Sequence, residues 1–408
     1  MIGKRTVFDL VGTVLCSKGA SKPFLRRGLV IRQLGFTSRS RASNMINLTS
    51  DNWTGAHPTI SEALLRQSAG SAIAYGASEL DRKIEQKFTE IFEKHVAVYF
   101  VGTGTAANAL AMAYVNLPGG IIFAHRNAHL IEDECGAPEY ITGGARTYGV
   151  SGSLGQIDSN ELVEAIKRYP QHRDFVHAGQ PMAVTITQTT ESGTLYSLPE
   201  IRKIADIAHS YGLPLHMDGA RFANALVGLG CTPAEMTWKN GVDILSFGAT
   251  KNGCWCAEAI IVFNDRQKAE RNFPYLRKRA AHLFSKTRFI AAQFEAYFND
   301  DLWIRNARHA NRMAGRLLSV MTSAANNNII KLAWPVQANE VFVVMKRHLA
   351  LELQNTKRVS PFYEWNVPED ERQKLVLQND EGLYRLVTTF ATTEEDIDEF
   401  GKILKQFC

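Results

Sequence analysis

The sequence predicts an α/β protein: a three-layer sandwich with a mostly parallel central sheet, followed by a smaller α+β C-terminal domain. Three observations carry that prediction. Short apolar runs of four to seven residues alternate with amphipathic helical stretches up to about residue 300. Each run ends in a glycine-rich or polar cluster, where open α/β sheets bind ligands. Beyond residue 300 the alternation changes to one long helix and then strands, which is α+β order.

Residues 1–44 hold nine Lys/Arg and one acid, Asp9, and lack a core pattern. They read as an extension outside the fold, either a transit peptide or translation upstream of a start at Met45. The rest carries 37 basic and 40 acidic residues, so the overall charge of +5 belongs to the extension. The body shows no basic and aromatic interleaving, which argues against a nucleic-acid partner. No apolar run reaches about 18 residues, so no membrane-spanning helix is expected. Six cysteines (16, 135, 231, 254, 256 and 408) fit neither a disulfide framework nor a zinc site. They read as reduced thiols of a cytoplasmic protein, or a mitochondrial one if the extension is a transit peptide.

Three domains follow: the extension 1–44, a large domain 45–299 with an N-terminal arm at 45–60, and a small domain 300–408. A helix is expected over 61–67 and another, capped by Ser78, over 79–94. Residues 96–101 form a strand that runs into Gly102-Thr103-Gly104-Thr105 and a helix over 106–115. Free amides at that helix start, after small residues, make an anion site. Further strands are expected over 121–124 and 181–187, with helices over 159–168 and 198–211. A polar connection with His172 and His177 lies between them. Residues 258–263 read as an antiparallel return strand, and 266–298 as one helical stretch. The C-terminal part gives a helix over 301–323, strands over 336–345, 359–365 and 383–389, and a final helix over 394–406.

The chemistry concentrates between residues 213 and 252. Two buried parallel strands end in His-Met-Asp218-Gly-Ala-Arg221 and in Ser246-Phe-Gly-Ala-Thr250-Lys251. A Lys and an Asp at neighbouring strand ends suit pyridoxal phosphate. The amine forms a Schiff base, and the carboxylate keeps the pyridine nitrogen protonated. Gly248 and Gly253 would let the backbone approach a ligand, and Cys254 and Cys256 would pack behind the lysine. The rival is a dinucleotide site at Gly102, Gly104 and Ala107; the next strand ends in His125 and Arg126 rather than an acid, which leaves only the variant in which an arginine serves a 2′-phosphate. His125, His129 and the acids 132–134 invite a metal reading. Adjacent acids cannot share one helix face, so no metal is expected. His129 reads instead as a ring stacked on an aromatic cofactor. Arg385, inside an apolar strand, either stands on the strand's solvent face or, if buried, needs a carboxylate partner, which a substrate can supply.

Over residues 45–408 the chain resembles the low-specificity L-threonine aldolases, which are fold type I pyridoxal phosphate enzymes of the aspartate-aminotransferase superfamily. The likeness is sharpest in Thr-Ser50-Asp51-Asn, Gly-Thr103-Gly104-Thr105, Ala-His129-Leu-Ile-Glu, His-Met-Asp218-Gly-Ala-Arg221 and Phe-Gly-Ala-Thr-Lys251. The resemblance implies retro-aldol cleavage of L-threonine, L-allo-threonine and related β-hydroxy-α-amino acids to glycine and an aldehyde. It implies that Lys251 holds the cofactor and that Asp218 pairs with the pyridine nitrogen, with Arg221 beside the ring oxygen. Thr103, Gly104 and Thr105 would cradle the phosphate, and His129 would stack on the ring and serve as the base. Ser50 and Arg385 would grip the substrate carboxylate, with Asn339 nearby. It also implies a homotetramer with active sites at a dimer interface, where Lys286 or Arg288 reaches the facing site. The family often carries an aromatic residue four positions after the stacking histidine, and this chain has Asp133 there.

Overall fold

The computed structural model describes residues 45–171 and 174–407. The expected extension and His172 lie outside the described residues, as do Cys16 and Cys408. Residues 45–408 form one compact unit.

Seven strands make the main sheet: β1 (Ala97–Val101), β2 (Ile121–His125), β3 (Arg146–Val150), β6 (Pro181–Thr187), β7 (Leu215–Gly219), β8 (Ile244–Gly248) and β9 (Glu258–Val262). A small hairpin of β4 (Gly152–Ser153) and β5 (Gln156–Ile157) lies between them in the chain. The strand order is β1-β9-β8-β7-β6-β2-β3. Neighbours pair in parallel except at β9, which runs against both β8 and β1. That is the return strand expected from the sequence.

Side chains alternate across the sheet, and each face has its own core. Val98 and Phe100 join Phe247, Met217 and the helices Glu79–Ile91, Leu198–Ser210 and Arg288–Phe298 on one face. Ala97, Tyr99 and Val101 join Ile122, Ile260 and the helices Gly104–Tyr114 and Arg266–Arg279 on the other. Helices therefore cover both faces, as nearly continuous apolar strands require. Within this stack a polar staple crosses three strands. Thr185 Oγ1 is 2.7 Å from His216 Nδ1, and His216 Nε2 is 2.9 Å from Ser246 Oγ. Burial lowers the His216 pKa to about 4 despite the pull of Asp218, so the ring is neutral.

The second sheet has the order β10-β11-β13-β12, with β10 (Ile330–Leu332), β11 (Glu340–Lys346), β12 (Glu364–Trp365) and β13 (Glu381–Val387), all antiparallel. The helix Leu302–Asn326 serves both sheets. Its start (Leu302, Trp303, Ala307) belongs to the first core and its later turns (Ala314, Leu317, Met321) to the second. Ile46 and Leu48 of the N-terminal arm also pack in this second core. Val387 N–H donates to Leu48 O at 2.9 Å.

Several elements differ from the sequence expectation. The helix expected over 266–298 breaks at residues 280–287, where Ala281 adopts φ +60°. The strand expected over 359–365 shrinks to β12 and a single bridge between Ile46 and Val359. Pro361 explains this, because it has no N–H to offer a ladder. The edge strand β3 was not expected, since its residues form no apolar run and only Val150 is buried. The helix Arg347–Asn355 was likewise missed.

Candidate active site

At the carboxyl ends of β1, β7 and β8 lies a cavity of about 240 Å³. Thr103, Gly104, Thr105, His129, Asp218 and Lys251 all line it, together with Asn108 and Glu258. Sequence reasoning had placed the first six in one site, and the fold brings them there from four separate segments.

The parallel register Asp218–Ser246 aligns the ends of β7 and β8. Close backbone approach makes this possible. A Cβ at Gly219 would meet Ser246 O at 2.8 Å, and one at Gly248 would meet Ala220 O at 2.4 Å. Gly248 thus serves strand packing rather than ligand approach, a correction to the sequence reading. Gly253 has φ +118° and closes the short turn Thr250–Asn252 that carries Lys251. That turn is anchored on both sides. Asn252 Nδ2 donates to Tyr297 Oη and Trp303 O at 2.7 and 2.8 Å, and Asn306 Nδ2 donates to Asn252 O at 2.9 Å. Cys254 is buried in the core as expected, whereas Trp255 is exposed and Cys256 Sγ donates to Gly102 O at 3.1 Å.

Beside Lys251, Glu258 opens β9. Burial pushes its pKa up to about 7, opposed by a hydrogen bond from Thr250 and by the Lys251 charge. Across the cavity, Thr103 caps the helix Gly104–Tyr114 by accepting from Ala106 N–H at 3.2 Å. The amides of Gly104 and Thr105 precede the first intrahelical bond, from Ala107 to Thr103, and suit an anion. Asp218 Oδ1 accepts from Ala220 N–H at 3.0 Å, and Oδ2 accepts from Asn108 Nδ2 at 2.9 Å. His129 Nδ1 lies 2.9 Å from Glu134 Oε1. Burial lowers the His129 pKa, but the Glu134 hydrogen bond and the charges of Glu191, Asp218 and Glu134 outweigh it, so the net shift is upward.

A second cluster adjoins the cavity. Arg221 is bound by Asp51, with Nε–Oδ2 at 2.7 Å and Nη2–Oδ1 at 3.2 Å, and its Nη2 is also 3.4 Å from Glu340 Oε1. Asn339 Nδ2 donates to Asp51 Oδ2 at 3.1 Å. Burial would raise the Asp51 pKa, but Arg221 and Lys251, with hydrogen bonds from Arg221 and Asn339, hold it down at about 2. Arg385 Nη1 reaches Glu340 Oε1 at 3.3 Å, and its guanidinium lies 4.1 Å over the Trp365 ring. Its side chain keeps 17% exposure, against 4% for Arg221, so Arg385 is the arginine open to a ligand. Ser50 caps the turn Asp51–Trp53 by accepting from Asn52 N–H at 3.1 Å. Arg288 Nη2 donates to the carbonyls of Gln67 and Gly70 in its own chain.

Sequence reasoning missed Asn108, Glu134, Glu340 and the Asp51–Arg221 pair. Asn108 was within reach, since it stands four residues after Gly104 and so shares its helix face. The rival dinucleotide reading loses its arginine, because Arg126 is paired with Glu369 at 2.7 Å. The acids 132–134 do not act together: only Glu134 is buried and turned to His129.

A pyridoxal phosphate group fits this donor set. The cavity joins an amine, a carboxylate, an imidazole and a helix start suited to phosphate. The partnerless buried oxygens Glu134 Oε2 and Asn108 Oδ1 mark a polar floor.

Comparison with known proteins agrees. Residues 47–352 match the family model described as beta-eliminating lyase. A low specificity L-threonine aldolase of Pseudomonas aeruginosa is 41% identical over 295 residues, 72% of this chain and 82% of that protein. Another, from a Pseudomonas species, is 38% identical over 306 residues, 75% of this chain and 86% of that protein. Among solved structures, a threonine aldolase of Leishmania major superposes with a TM-score of 0.79 at 27% identity, covering 88% of this chain and 98% of its own.

Proposed function

Because the chain belongs to the beta-eliminating lyase family and to the low-specificity L-threonine aldolases, we propose that it cleaves L-threonine, L-allo-threonine and related β-hydroxy-α-amino acids. The products are glycine and an aldehyde, and the cofactor is pyridoxal 5'-phosphate. The observation that carries this reading is the meeting of Lys251 and Asp218 with the Thr103–Thr105 helix start on one cavity.

Lys251 would hold the cofactor covalently through its amine, and Thr103, Gly104 and Thr105 would hold its phosphate. Asp218 would keep the pyridine nitrogen protonated. When bound, the cofactor supplies an electron sink for the pair left on Cα. The chain's own residues do the rest. Arg385, with Ser50, orients the substrate carboxylate. His129 would stack on the cofactor ring and take the β-hydroxyl proton as the Cα–Cβ bond breaks and the aldehyde carbonyl forms. A proton returned to Cα completes glycine.

The same reading extends to assembly and compartment. A homotetramer with sites at a dimer interface is supported by exposed Leu65, Ile73 and Tyr75 near the segment that Arg288 binds. Lys286 and Arg288 remain the candidates for reaching a facing site. The free thiols Cys135, Cys231, Cys254 and Cys256 fit a reducing compartment such as the cytoplasm. Among the described residues, no helix is long and apolar enough to cross a membrane.

The test is acetaldehyde release from L-threonine by the purified protein with pyridoxal phosphate, coupled to alcohol dehydrogenase. The expected result is release that Lys251→Ala abolishes together with the imine absorbance. A yellow protein that makes no acetaldehyde would keep the cofactor and overturn the threonine assignment in favour of a β-elimination or another β-hydroxy amino acid.

A further inference from the structure

Glu134 has no role in the chemistry above, yet it lies beside His129 with no side-chain exposure. Its Oε1 accepts from Asn108 Nδ2 at 2.8 Å and lies 2.9 Å from His129 Nδ1. The same Asn108 amide donates to Asp218 Oδ2 at 2.9 Å. One amide therefore ties together two carboxyl groups close to the imidazole. Glu134 Oε2 has no hydrogen-bond partner, which is costly for a buried carboxylate. Packing does not explain the residue, since a leucine would fill similar space without that cost.

The geometry has a chemical consequence. An ionised carboxylate only accepts hydrogen bonds. Burial raises the Glu134 pKa, opposed by its hydrogen bonds with His129 and Asn108; with the carboxyl ionised, Nδ1 of His129 carries a proton and the neutral ring keeps its lone pair on Nε2. The other charged groups around the ring are Asp218, Glu191 and Lys251. None has a hydrogen bond to His129 that competes with Glu134 in setting the tautomer.

We propose that Glu134, held by Asn108, is a positioning residue that fixes His129 in the Nδ1-protonated tautomer and so presents Nε2 as the proton-accepting atom. In the forward step the β-hydroxyl O–H breaks, a new N–H forms at Nε2, and the Glu134 carboxylate balances the resulting imidazolium. The assignment of that proton to the substrate rests on the aldolase reading above; the tautomer does not.

The experiment uses the cofactor-loaded protein labelled with ¹⁵N-histidine, with the His129 signals identified by their loss in His129→Asn. Wild type should show the Nδ1-protonated tautomer. Glu134→Leu should lose that preference and protonate at lower pH. Its kcat for threonine should fall about 100-fold, the lower end for general acid–base catalysis, with KM within about threefold. Glu134→Gln keeps the shape and loses only the charge, so it covers a Leu variant that does not fold. It too should lower the pH at which His129 protonates and shift the acid limb of the kcat/KM profile down. An unchanged tautomer and titration in folded Glu134→Leu would overturn the proposal, as would an unchanged titration in Glu134→Gln. A changed tautomer in a protein that never cleaves threonine would leave Glu134 in place and sink the aldolase reading instead.

Discussion

The two halves of the site are built in opposite ways. The cavity around Lys251 and Asp218 is made by one sheet, and each of its residues stands within a few positions of a strand end or helix start. The Arg221–Arg385 cluster is made by remote segments. Asp51 comes from the N-terminal arm, Arg221 from the end of β7, Asn339 and Glu340 from the start of β11, and Arg385 from β13. The first half depends on local geometry, the second on long-range charge pairing. Damage should therefore look different: changes in the first should stop chemistry in a stable protein, and changes at the buried centre of the second should unfold it.

The largest test of that contrast is Asp51→Ala. Arg221 is fully buried and would keep only Glu340, at 3.4 Å. Removing one partner of a buried pair costs about 3–5 kcal/mol, so the thermal midpoint should drop by several degrees. The pH dependence has a defined sign. The folded Asp51 pKa of about 2 lies below its ordinary 3.8. Its contribution is present above about pH 4 and is lost as the pH falls towards 2, so the gap between variant and wild type should narrow over that window. An unchanged midpoint would mean that Glu340 alone neutralises Arg221.

That contrast also explains what was legible in the sequence. Lys251, Asp218, His129 and the Thr103–Thr105 turn announce themselves because strand, turn and helix signals are local, and the chemistry sits at their junctions. The parallel sheet and its antiparallel return strand were readable for the same reason. The Asp51–Arg221 pair spans 170 positions, and no periodicity links such residues. Glu340 fell inside the strand expected over 336–345, and nothing local marked it as the buried partner of Arg221. Glu134 was hidden differently: three adjacent acids look equivalent until the turn after His129 buries one of them.

Arg385→Ala tests the exposed edge of the charge cluster, where binding rather than stability should respond. A charge-assisted hydrogen bond is worth about 1.5–3 kcal/mol, so KM for L-threonine should rise roughly 10- to 100-fold. The cofactor absorbance and thermal midpoint should stay near wild type. Unchanged kinetics would remove Arg385 from the substrate side and leave it as the partner of Glu340.

The smallest effect separates two ways of holding that arginine. Glu340 fixes one end of the guanidinium by charge, and Trp365 supports its face at 4.1 Å. Trp365 belongs to β12, a two-residue strand on the edge of the small sheet, so its ring can be removed with little loss of core. A cation–π contact at a partly exposed site contributes about 0.5–1 kcal/mol. Trp365→Ala should therefore raise KM for threonine about two- to fivefold at constant kcat, and Trp365→Phe should restore most of the loss. A kcat defect with unchanged KM would show that the ring shapes the cavity itself, and the division between a chemical half and a charge-paired half would have to be redrawn to include β12.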